Sequence, residues 1–150
     1  MKRKPPVGSI IQINLDNSIC FYGQVLKTEL VIFDYTKSDL NDLNVIARLP
    51  VLFFISVYYS AYRNDNWVLL GKQEIREELK QPPYKFIQDA FDENKFQLYE
   101  PNTGEITPAT RQQCEGLERC AVWEANHLED RLKDFLAGQE NIWLKQMEIK

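Results

Sequence analysis

The sequence predicts an α+β fold: a mainly antiparallel, curved β-sheet with one clear C-terminal helix packed on it. Three observations carry this. Residues 8–33 hold three short runs of β-branched and aromatic residues joined by brief polar connections, the signature of a meander. Val51–Tyr59 is the most apolar stretch and is too rich in aromatic and β-branched residues for a confident helix. Residues 126–137 carry the clearest 3.6-residue apolar period.

The elements follow in order. Ile11, Ile13 and Leu15 alternate with Gln12 and Asn14, a half-buried strand. Asp16-Asn17-Ser18 turns the chain into Ile19–Leu26, where Gly23 in mid-strand marks a bulge or a close backbone approach. Leu30-Val31-Ile32-Phe33 is the third strand. Ser38 as a cap, Asp39 in the first turn, and Leu40, Leu43, Ile46 and Ala47 on one face predict a short helix that Pro50 closes. Val51–Tyr59 reads as the central strand, buried on both faces, with Trp67-Val68-Leu69-Leu70 returning beside it after Asn64-Asp65-Asn66.

Lys72–Lys80 reads as a helical turn or two stopped by Gln81-Pro82-Pro83. Phe86-Ile87 and Lys95–Tyr99 read as short strands, and Pro101-Asn102-Thr103-Gly104 as a turn. The last helix takes Asn126 as N-cap with Glu129 three residues on, buries Leu128, Leu132, Phe135 and Leu136, and ends at Gly138 in the position of a left-handed C′ residue.

The chain has 150 residues, the size of one domain, 1–150, with residues 1–6 a basic and flexible tail. Its 44% hydrophobic and 12% aromatic content rules out a disordered chain, and no apolar run approaches the ~20 residues of a membrane helix. Net charge is −4, and residues 76–150 hold 15 acidic against 10 basic side chains. That balance argues against a nucleic-acid binder, which presents a basic face to phosphate, and suits a basic protein partner. The three cysteines and the absence of an apolar run after Met1–Lys4 point to a reduced, cytoplasmic protein.

Candidate chemistry is sparse. There is one histidine, His127, and no CxxC, HExxH, GxGxxG or GxxxxGK[ST] pattern, so no metal and no cofactor is expected. A small hydrolase built on Cys114 or Cys120 with His127, or on a pair of carboxylates, is the rival from a different class, without a third orienting group to support it. A self-associating structural protein using the aromatics around Tyr58–Trp67 is a further alternative. The most distinctive stretch is Cys114–Glu124, which mixes acidic and apolar residues and carries Trp123 near its end. Glu115, Glu118, Glu124, Glu129 and Asp130, rimmed by Trp123, are candidate partner-binding residues: the charges raise the on-rate and the indole supplies an anchor.

The chain resembles the immunity protein 26 family of bacterial polymorphic toxin systems. The residues that carry the resemblance are Val7-Gly8, Phe21–Leu26, Ile32-Phe33-Asp34, Leu79 and Pro83-Tyr84, then Cys114–Arg119, Ala121–Glu124, His127, Glu129-Asp130-Arg131, Gly138 and Trp143. Ser9 departs from the pattern, which has an acidic residue there. The resemblance implies a non-catalytic cytoplasmic protein, rich in β-structure, that binds and neutralises a cognate protein toxin encoded nearby and needs no cofactor. The resemblance does not name the toxin; the acidic charge of the chain suits a basic nuclease.

Overall fold

A computed structural model describes residues 4–37 and 39–150, and for Asn17 the backbone alone. The expected cap Ser38 and part of the expected basic tail, residues 1–3, lie outside the described residues. The fold is α+β with a mostly antiparallel, open sheet. The chain forms two compact units, residues 1–81 with 122–129 and residues 82–121 with 130–150.

In the first unit β1 (Ser9–Asn14), β2 (Cys20–Val25), β3 (Leu30–Phe33) and β4 (Val51–Val57) follow one another as an antiparallel meander. With β5 (Trp67–Lys72) and the two-residue β9 (Val122–Trp123) they make a six-stranded sheet of order β5-β1-β2-β3-β4-β9. Register shifts at Ile10/Ile11 and Ile32/Phe33 bend the sheet.

Two expectations are corrected here. The central strands are β2 and β3, buried throughout, whereas β4 is next to last and buries only Ile55. Gln24 and Gly23 interrupt the apolar pattern of β2 and hide its burial; the Gln24 amide is buried because it donates to the carbonyls of Gly8 and Gln73 at 3.2 and 2.9 Å. Second, β5 returns beside β1, not β4. The connection from β4 folds into a 3₁₀ turn at Tyr59–Arg63, which is no tight hairpin, and Asn66 then accepts from Asn14 N and donates to the Asn14 carbonyl.

The core of this unit gathers Ile10, Cys20, Tyr22, Val31, Phe33, Ile46 and Leu79. The expected short helix is a single turn, α1 (Leu43–Ile46), capped by the Asp42 carboxylate on Asn44 N. Arg76 lies over the Phe33 ring at 5.6 Å and donates to the carbonyls of Ala47 and Leu49 just past that turn. The helix expected within 72–80 reduces to a 3₁₀ turn, Glu77–Leu79.

The second unit is built on an antiparallel sheet of β6 (Lys85–Gln88), β7 (Phe96–Tyr99) and β8 (Ile106–Ala109). Phe86, Phe96 and Cys114 form its core with Leu98, Ala109, Leu117 and Ile149. The sequence reading omits β8, since Pro108 and the lack of an apolar alternation along exposed Ile106–Pro108 leave it no strand signal. After β8 come α2 (Arg111–Cys114), held by a Thr110–Gln113 capping box, and later α4 (Ile142–Gln146), capped by Asn141.

The C-terminal helix α3 spans Ala125–Ala137, starting in the first unit and ending in the second. It begins earlier than expected: Leu128 N donates to the Glu124 carbonyl, so Asn126 is not its cap. Glu129 is accordingly free to reach the sheet of the first unit instead of the helix end. Leu128 and Leu132 are fully buried, but Phe135 and Leu136 are exposed, which shortens the expected apolar stripe to two residues. Gly138 ends the helix with φ +65°, as the left-handed C′ position requires.

Candidate functional site

The six candidate partner-binding residues divide between the units. Trp123, Glu124 and Glu129 belong to the first, and Glu115, Glu118 and Asp130 to the second. Within each unit they differ in what their side chains do.

In the first unit Trp123 is 4% exposed, on the strand that pairs with the end of β4, and its carbonyl accepts from Tyr58 N at 3.0 Å. Glu129 turns one carboxylate oxygen to the first-unit sheet, where it accepts from Trp67 Nε1 at 2.8 Å and Asn66 Nδ2 at 2.9 Å. Trp67 is buried edge-on against Tyr62, with ring centroids 5.8 Å apart. A buried indole N–H needs an acceptor, and Glu129 is that acceptor. Glu124 is exposed, and its carboxylate enters no hydrogen bond or ion pair with a described residue.

In the second unit Glu118 accepts both guanidinium nitrogens of Arg131, at 3.0 and 2.8 Å, and lies 3.9 Å from Lys85 Nζ. Arg131 and Lys85 are themselves buried, so Glu118 balances two charges withdrawn from water. Asp130 is exposed and accepts from Trp143 Nε1 at 3.4 Å. Glu115 is exposed past the end of α2, and its carboxylate too has no partner among the described residues. Carboxylates that share a spacing in the sequence thus perform opposite tasks. Glu118 and Glu129 hold the structure; Glu115, Glu124 and Asp130 face solvent. The signal for the difference lies in Arg131, Lys85 and Trp67, distant in sequence.

The residues of the hydrolase alternative are placed as follows. Cys114 is fully buried, with Sγ 4.0 Å from the Gln97 carbonyl, and burial pushes its thiol up. A nucleophilic cysteine needs the reverse. Cys20 is also buried and raised by desolvation, next to Tyr22, whose hydroxyl burial pushes up to about 12. Cys120 belongs to the second unit and His127 to the first. Among the described residues no group of three or more His, Cys, Asp or Glu side chains has the arrangement to hold a metal ion.

One apolar concavity stands out in the first unit and carries no motif. It has a volume of about 450 Å³ and lies between Lys4–Pro6 and β5, with Ile11, Tyr62 and Trp67 as its floor and Val68, Leu69 and Asp65 at its rim. β5 is the end strand of its sheet, so this concavity borders a sheet edge. Tyr58 and Tyr59 are exposed on the connection before β5, and the Lys4 ammonium sits 5.2 Å above the Tyr59 ring. Of the aromatics at Tyr58–Trp67, then, two are exposed and two, Tyr62 and Trp67, are buried.

A family model described as Immunity protein 26 matches residues 6–97. The match covers β1 to β5 and runs on through β6 into β7. It ends before Cys114–Glu124, His127 and Trp143, on which the resemblance in the sequence leans most. No curated protein and no solved structure matches the chain.

Proposed function

The chain belongs to the immunity protein 26 family, and from that premise we propose that it is a non-catalytic immunity protein that binds a cognate bacterial toxin domain in the cytoplasm and blocks it. The family match over residues 6–97 is the observation that carries this reading. The charge supports it in kind: a net −4 favours a basic partner, and a protein that acts on nucleic acid presents a basic face to phosphate. No helix among the described residues is long and apolar enough to cross a membrane.

The proposed contacts start from the candidate residues, in two roles. Glu115, Glu124 and Asp130 meet the partner, and Glu118, Glu129 and Trp123 hold the elements that carry them. Binding through exposed carboxylates needs no cofactor; it stops a toxin by covering its catalytic surface. A standard interface takes about 800 Å² from each partner, a tenth of a small protein's surface.

The direct test mixes the purified chain with the toxin domain encoded beside its gene. At one-to-one stoichiometry toxin activity should vanish, with a dissociation constant in the nanomolar range. Full toxin activity at a large excess of the chain would refute the proposal. A second expectation concerns the charges. The triple variant Glu115→Lys, Glu124→Lys, Asp130→Lys should slow association about tenfold or more at low salt, with the difference fading as ionic strength rises. Its melting temperature should stay close to wild type, because among the described residues Glu115 and Glu124 have no hydrogen-bond or ion-pair partner and Asp130 only a long hydrogen bond. Equal association rates across a salt series would remove these carboxylates from the interface.

A further inference from the structure

Among the described residues Phe91 is the one large apolar side chain whose exposure is complete, at 100%. It stands in the connection between β6 and β7, residues 89–95, a hairpin tip where polar residues and glycine usually sit. Isolated apolar residues are common on protein surfaces and mean little by themselves. What sets Phe91 apart is the support beneath it. The Asp89 carboxylate accepts from Phe91 N and Asp92 N at 3.1 and 2.8 Å, and the Asp92 carboxylate accepts from Asn94 N at 3.0 Å. Asp89 N donates to the Lys95 carbonyl, which closes the loop. The Glu93 carbonyl accepts from Gln88 Nε2 at 2.9 Å and from the Arg111 guanidinium at 3.0 Å. Arg111 in turn lies over the core residue Phe96, 5.0 Å from its ring centroid, so the tip is tied to the core of its unit.

None of these bonds uses the Phe91 side chain, so the hairpin closes without it. A rigid loop that displays an aromatic ring loses little entropy when the ring is buried by a partner. Such preorganised aromatic anchors carry a disproportionate share of interface energy. The adjacent carboxylates name the partner's character. Asp92 and Glu93 follow Phe91 in the loop, and both are exposed. They oppose an anionic lipid headgroup and suit a pocket rimmed by lysine and arginine.

We infer that Phe91 is a binding anchor that inserts into an apolar pocket, rimmed by basic side chains, on a protein partner. This rests on the immunity reading in taking the cognate toxin domain as that partner, and it adds a contact that none of the candidate acidic residues supplies. The toxin domain encoded beside the gene is the probe. Phe91→Ala should weaken binding at least thirtyfold, almost wholly through faster dissociation, while Phe91→Tyr stays within about threefold of wild type. The melting temperature of Phe91→Ala should not fall, because nothing in the folded chain packs on the ring, so lost binding cannot be blamed on lost structure. Wild-type binding that Phe91→Ala leaves within threefold overturns the inference and leaves the immunity reading standing. A wild-type chain that does not bind the toxin domain overturns both. Phosphatidylcholine vesicles are the second probe: binding to them that is lost with Phe91→Ala would assign the ring to a membrane and overturn the protein-pocket reading.

Discussion

Gly23→Val is expected to cost about 3 kcal/mol, a large fraction of the roughly 5–15 kcal/mol that holds a domain folded. Gly23 lies in the middle of β2, paired with Ile11 on one side and Ile32 on the other. A Cβ there would stand 2.8 Å from the Val31 carbonyl oxygen and 3.2 and 3.3 Å from the Leu30 and Ile32 methyl carbons. The nearest obstacle is backbone, which cannot rotate aside as a side chain can. Relief requires β2 and β3 to part, and these are the two wholly buried strands. Urea denaturation should show the loss as a lower midpoint, with Gly23→Ala intermediate between wild type and valine. A valine variant within 1 kcal/mol of wild type would mean that the central strands separate at little cost.

Glu118→Gln is expected to cost about 2–3 kcal/mol, somewhat less than the roughly 3–5 kcal/mol for breaking a fully buried ion pair, because Glu118 itself is 34% exposed and water can reach the site. The amide matches the carboxylate in shape and so isolates its charge. Without that charge, the Arg131 and Lys85 side chains, 8% and 11% exposed, lose the carboxylate that both approach. The double variant Glu118→Gln, Arg131→Met should recover part of the loss, since it also removes the buried guanidinium whose bidentate carboxylate the single change takes away. Thermal denaturation of the two variants checks both statements. A single variant as stable as wild type would show that Glu118 contributes nothing to the fold and would return it to the pool of purely surface carboxylates.

That contrast explains how far the sequence could be read. Strands β1, β2, β3, β6 and β7 were expected from their composition and appear where their apolar runs stand. Their partners are less legible. β5 carries an apolar run that suits any sheet edge, and its place beside β1 is set by Asn66 bonding across 52 residues to the Asn14 carbonyl. The helix near 40 failed in length because its apolar period is real but its polar side chains prefer turns: Asp42 caps at Asn44, and Asp39 accepts the Tyr35 hydroxyl at 2.6 Å. The acidic candidates show the same limit. Glu118 and Glu129 are indistinguishable in sequence from Glu115 and Glu124, and only their partners from other segments separate them. Phe91 carries no sequence signal of its own: a single aromatic among Asp89, Asp92, Glu93 and Asn94 belongs to no periodic pattern, and only the structure shows its exposure.

The route of the chain through the two units has a consequence for biosynthesis. The first unit takes residues 1–81 and then waits for residues 122–129, which bring β9 for the end of β4 and the Glu129 carboxylate for Trp67. A nascent polypeptide released up to residue 97, the full extent of the family match, still lacks the acceptor for a buried indole and the last strand of its sheet. The ribosome must therefore deliver most of the second unit before the first can be completed, and neither unit can be excised intact by a single cut.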